Sequence, residues 1–260
     1  MAYSNIVFFG SASSPSDGGS QTTMTPTVTP PSNMRPGDLV LMVIATRDYA
    51  GSLPILVTTS GGQTWNSLNY NTGGTNVQSQ MFWCRFNGTW SADPVVTHDD
   101  NSLIPTSLVM LVFRPTSIIQ EWATYGSEYQ GALSVGAGSP SSVQVTGHAI
   151  DVSIEGVSVV TCVSEDDNTW GDVQGVLWKP LTPVGSAQFR NTAGSDLSLH
   201  FAYLRTAETW AETQLDTYQL TLGPDAGSFA FQTFSETEIA NHKTVDILGN
   251  VSILGATTIL

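Results

Sequence analysis

The sequence predicts an all-β protein: two tandem β-sandwich modules of jelly-roll type, followed by a tail of very short strands. Three observations lead there. Only 12% of the 260 residues are charged, while Gly, Ser, Thr, Asn and Pro are plentiful, a mixture suited to short strands joined by turns. No long window carries apolar residues at i, i+3, i+4 and i+7, so helices have no amphipathic signal. The chain also resembles itself at a shift of 120 residues, with Arg85 matching Arg205 and Trp90 matching Trp210.

Taken in order, the first module offers strands at 5–9, 24–29, 38–46, 64–70, 78–86, 94–98 and 107–113. The segment 39–45 is apolar throughout, which predicts burial on both faces. The second module supplies counterparts. FFGSAS at 8–13 resembles TYGSEY at 124–129, and TPTVT at 25–29 resembles SVQVT at 142–146. RPGDLVLMVIATRD at 35–48 resembles IEGVSVVTCVSED at 154–166, with Gly37 on Gly156. GQTW ending at Trp65 resembles GVLW ending at Trp178. MFWCRFNGTW at 81–90 resembles FAYLRTAETW at 201–210, and SLVMLVF at 107–113 resembles SFAFQTF at 228–234. Within the second copy, Val157, Val159, Thr161 and Val163 alternate onto one strand face. The modules are therefore expected at 1–117 and 118–236, with Arg114-Pro115-Thr116 at the junction. Short strands and Gly/Pro turns in modules of this size favour a sandwich, with the jelly roll preferred over an immunoglobulin-like topology that the same pattern also allows.

Residues 237–260 fall outside the repeat. From Val245 the chain reads VDILGN, VSILGA, TTIL, a period of six with a glycine turn in each full unit. Val245 and Val251 align, as do Ile247, Ile253 and Ile259, and Leu248, Leu254 and Leu260. Units this short cannot bury their apolar face alone and must stack on neighbours. The tail is thus expected to be an assembly element, completed by other copies of the chain or by another protein.

Composition and motifs also bear on function. The formal charge is -14, and the eight Lys and Arg are scattered. Nucleic acid and anionic membranes are therefore not expected as partners, since phosphate binding needs clustered cations. A signal peptide and an apolar run long enough to span a membrane are not evident, so neither secretion nor membrane insertion is expected. The two cysteines, Cys84 and Cys162, sit in apolar runs in different halves and read as buried free thiols. His98, His148, His200 and His242 are isolated, without metal-ligand spacing. Nucleophile-elbow, zinc-protease and phosphate-loop motifs are lacking, and neither an enzymatic activity nor a cofactor is expected. Glu121 with Glu128, and Glu208 with Glu212, are the carboxylate pairs that a glycosidase reading would need.

Three further features invite a ligand. Glu165, Asp166, Asp167, Asn168 and Asp172 offer oxygen ligands of the kind Ca²⁺ takes, although a solvated turn is the favoured reading of them. Trp65 and Trp178 recur in both copies and could stack on sugar rings, or simply anchor the sandwich. Arg85 with Asp48, and Arg205 with Asp166, are expected as ion pairs at strand ends. Asn87-Gly88-Thr89 and Asn250-Val251-Ser252 match the glycosylation sequon but lack the secretory context.

The tail VDILGNVSILGATTIL resembles short-strand runs of tailed-bacteriophage fibre and other virion proteins. The modules, with GDLVLMVIA, then a GQTW turn, then MFWCRF, resemble β-sandwich domains of phage tail, fibre and capsid-decoration proteins. That resemblance implies a non-enzymatic virion component made in the host cytoplasm. It further implies a homo-oligomer, of trimeric type as in fibres, that contacts other virion proteins and a host-surface glycan. Two other readings stand beside it, a pair of carbohydrate-binding modules and a glycoside hydrolase.

Overall fold

The first half of the chain forms β1 (Val7–Ser14), β2 (Leu39–Arg47), β3 (Leu56–Thr58), β4 (Asn66–Gly73), β5 (Val77–Arg85), β6 (Val95–Thr97) and β7 (Thr106–Arg114). The second half forms β8 (Gln120–Ala132), β9 (Ser141–Thr146), β10 (Gly156–Glu165), β11 (Trp170–Gln174), β12 (Thr182–Pro183), β13 (Phe189–Asn191), β14 (Leu197–Thr206), β15 (Gln214–Leu220) and β16 (Gly227–Glu238). The structure is a computed structural model. It describes residues 6–47, 56–58, 62–73, 77–98, 103–116, 120–132, 141–146, 156–166, 169–174, 182–183, 189–194, 196–206, 214–220 and 227–238. Among these residues there is no helix.

Each half builds one large and one small antiparallel sheet. The large sheets run β1-β7-β2-β5-β4 and β12-β14-β10-β16-β8, with β13 also paired to β14. The small sheets are β3-β6, extended by a bridge from Thr27 to Val95, and β11-β15-β9. Counting the Thr27 segment as second in its half, and β12 and β13, which both pair with β14, together as the fifth strand of theirs, both halves place their strands in the order 1-8-3-6-5 and 2-7-4. That is the winding of a jelly roll, in which nested antiparallel pairs wrap into two sheets. The fifth strand lies at the edge of the large sheet in both halves. The sequence matches fall on strands of the same rank: β2 with β10, β5 with β14, and β7 with β16.

The large sheets pack face to face, and the pleat explains why β2 is apolar throughout. Successive side chains of a strand point to opposite faces. Leu39, Leu41, Val43 and Ala45 enter a core shared with Val157, Val159, Leu199, Phe201 and Phe234 of the second half. Val40, Met42 and Ile44 enter a separate core with Phe82, Cys84, Val96 and Met110, beneath the small sheet of the first half. β10 turns Val157, Val159 and Val163 into the shared core, as their alternation predicts. On its far side, Trp170 of β11 stacks on His200 of β14 at 5.5 Å and donates its indole N–H to Ser198 Oγ at 3.1 Å. The order of layers is thus small sheet, large sheet, large sheet, small sheet.

Polar groups seal the rim of the shared core. Trp122 donates its indole N–H to the Gly37 carbonyl at 2.9 Å. Arg47 donates to the Asp196 carbonyl at 2.6 Å and pairs with Asp166 at 3.3 Å. Arg190 pairs with Asp17 at 3.0 Å. Gly19 bridges Asn191 in parallel, so the loop after β1 extends the sheet of the other half through β13.

Some expectations are corrected. The first strand starts later and runs longer than 5–9, because it pairs along most of β7. The stretch 24–29 forms an isolated bridge rather than a strand. β3 was not foreseen. The Arg205–Asp166 pair does not form, and Asp48, the expected partner of Arg85, lies outside the described residues. Register places Arg205 opposite Val157, at the far end of β10 from Asp166. Nine residues of strand put about 30 Å between them.

Candidate binding cleft

In the first half Phe86 and Trp90 line a cleft, and Gln63 and Trp65 hold them in place. Gln63 donates from Nε2 to the Thr89 carbonyl at 2.6 Å and accepts the Asn87 N–H on Oε1 at 2.8 Å. One buried amide thus ties the turn after β5 to the segment that leads into β4. Asn87 Oδ1 accepts from the Thr89 N–H at 3.0 Å, an Asx turn that fixes the approach to Trp90. Gly88 has φ 104°, and a Cβ there would lie 2.9 Å from Pro36 Cγ, so the turn requires glycine.

These ties stack three rings. Phe86 and Trp90 lie 4.8 Å apart at 19°, and Trp90 and Trp65 lie 6.5 Å apart at 27°. Trp65 and Trp90 are half-buried and pack against the core beneath the small sheet. Anchoring is therefore one role of Trp65, as the structural alternative required. Trp178 lies outside the described residues.

Beside Trp90 opens a cleft of about 370 Å³. One wall is the segment Pro30 to Met34 and the other holds Phe86 and Trp90. Asp93 stands at its edge, half-buried, and Oδ2 accepts the Thr29 hydroxyl at 2.6 Å. Asn33 is exposed on the facing loop with φ 64°, a left-handed conformation that Asn tolerates better than most residues. Its carbonyl accepts from Arg114 Nη2 at 3.1 Å, which pins the loop to the sheet. Among the lining residues none is cationic.

Asp93, Asn33 and Thr29 were not singled out by sequence reading. The signal that could have found them is the run TPPSNM, in which two prolines and an asparagine form a stiff, polar-tipped loop.

Other expected site residues fall elsewhere. Glu165 and Asp166 face Arg47, at 4.0 and 3.3 Å, and so neutralise a cation of the other half. Asp167 and Asn168 lie outside the described residues, and Asp172 lies in β11. Among the described residues no group of three or more acidic, His or Cys side chains could hold a metal. Positions 121 and 128 fall within the single strand β8, about 20 Å apart along it, beyond the separation that glycosidase carboxylates use. Glu208 and Glu212 are outside the described residues, as is the whole assembly set Val245, Ile247, Leu248, Val251, Ile253, Leu254, Ile259 and Leu260. Burial pushes the Cys84 and Cys162 thiols far above their ordinary pKa, because the interior cannot solvate a thiolate. Both side chains are fully buried.

Comparison with protein-family models, with curated proteins and with solved structures finds no match to this chain.

Proposed function

We propose that this chain is a non-enzymatic structural protein of a bacteriophage virion, of fibre, tail or decoration type, which works through assembly and surface-binding interfaces. The observation that carries the reading is how the described charged groups are used. Asp38 with Arg114, Asp17 with Arg190, and Glu165 and Asp166 with Arg47 all hold one element of the fold to another. Two jelly rolls sealed through their large sheets suit a rigid spacer that presents loops at its ends. The six-residue period of the tail supplies a means of association between chains, and many copies on one particle strengthen weak contacts by multivalency.

The test is the mass of the full chain in solution, measured by light scattering, against a chain lacking 243–260. A trimer that falls to monomer on deletion is the expected result. A monomeric full chain, unchanged by the deletion, overturns the assembly reading. The rival reading, a pair of carbohydrate-binding modules, is favoured by one observation, the cleft beside Trp90.

A further inference from the structure

We propose that the cleft between Pro30–Met34 and Trp90 is a binding site for a neutral saccharide. The inference deepens the surface-binding half of the proposed function and does not depend on the tail. Its volume, about 370 Å³, lies at the small end of the range for small-molecule sites, and suits roughly one or two sugar rings. A pyranose presents an apolar C–H surface and a rim of hydroxyls. The cleft presents the same division, with Pro31, Phe86 and Trp90 against Asp93, Asn33 and Thr29.

The polar groups fit hydroxyls. Asp93 Oδ2 is held by Thr29, which leaves Oδ1 as a fixed acceptor for a sugar hydroxyl. Asn33 supplies an amide that both donates and accepts, on a loop pinned by Arg114. A carboxylate in a cleft without a lining cation disfavours phosphates and acidic sugars. A peptide adding as a strand is disfavoured as well, since Pro30 and Pro31 have no N–H to offer along that wall. The aromatic column explains why this site sits at Trp90 rather than on Trp65. Trp65 stacks on Trp90, and of the two only Trp90 lines the opening.

The experiment is saturation-transfer NMR and calorimetric titration of the full chain with glucose, galactose, mannose and N-acetylglucosamine, with N-acetylneuraminic acid as the acidic probe. Two variants accompany it. Asp93→Ala removes the acceptor, and Asn33→Gly removes the amide while keeping the left-handed backbone. The expected result is saturable binding of at least one neutral sugar, weakened about tenfold or more in both variants while their melting temperatures stay close to the parent. No saturation with any neutral sugar at tens of millimolar overturns the proposal. So does binding that survives both substitutions, or tighter binding of the acidic probe. Deleting 243–260 leaves this binding unchanged, so the result is independent of the assembly test.

Discussion

The side chain of Asn191 forms hydrogen bonds with the backbone of Gln21, 170 residues away. Its Nδ2 donates to the Gln21 carbonyl at 2.7 Å, and its Oδ1 accepts the Gln21 N–H at 3.0 Å. The same amide donates to the Thr106 carbonyl at 2.9 Å and accepts the Ala193 N–H at 3.0 Å. Asn191 is fully buried, so one side chain satisfies four backbone groups where the halves meet. Replacing it by Ala orphans these groups and costs about 2–4 kcal/mol, since each buried unpaired polar group costs roughly 1–3 kcal/mol and water recovers part. Urea unfolding of Asn191→Ala checks this; a change near zero would mean the clip is not formed.

Asp38 is buried beneath Arg114, which donates from Nε to Oδ1 and from Nη2 to Oδ2, both at 3.1 Å. The carboxylate also accepts the Arg35 N–H at 2.8 Å, and the guanidinium lies 3.9 Å over the Phe9 ring. Asp38→Asn leaves a partly buried cation facing an amide. The expected loss is about 3 kcal/mol, the lower end for breaking a buried pair. The comparison is with Asp17→Asn, whose exposed pair with Arg190 is worth about 1 kcal/mol or less.

The shared core makes the halves fold together. Calorimetry is expected to give one unfolding transition for the described body. Phe234→Ala, at the centre of that core, shifts the transition as a whole by about 3–5 kcal/mol. Two resolved transitions, only one of which moves, would separate the halves energetically.

The thiols give a pH prediction. Both folded-state pKa values are raised by burial. A raised pKa contributes stability that is complete below the unfolded value, about 8.5, and fades as pH rises towards the folded one. Unfolding free energy is thus expected to be lower at pH 10 than at pH 8, and less so in a Cys84→Ala, Cys162→Ala double variant. At pH 8 a thiol reagent labels neither cysteine in the folded chain and both in urea.

Much of the fold could be read locally. The unbroken apolar run of 39–45 announced two cores, because every second residue needs its own apolar surroundings. The paired runs at 81–90 and 201–210 announced equivalent strands, since both copies repeat the same alternation. The ion pairs could not be read this way. Arg205 and Asp166 flank matching stretches of the repeat, but antiparallel register sends them to opposite ends of their hairpin. The arginine that does meet Asp166 is Arg47, from the other half.

The cleft shows the same division. Trp65 and Trp90 were marked by their recurrence. Asp93 and Thr29 are 64 residues apart and meet only because the Thr27 segment and β6 are neighbours in the small sheet. By itself the sequence determined the strand-rich class, the duplication and the apolar alternation, because these follow from residue type and period along the chain. Tertiary structure decided that the large sheets face one another, which cations cross between the halves, and that Asp93 and Asn33 border one opening beside Trp90. Those depend on register and on packing between distant segments, which no local pattern encodes.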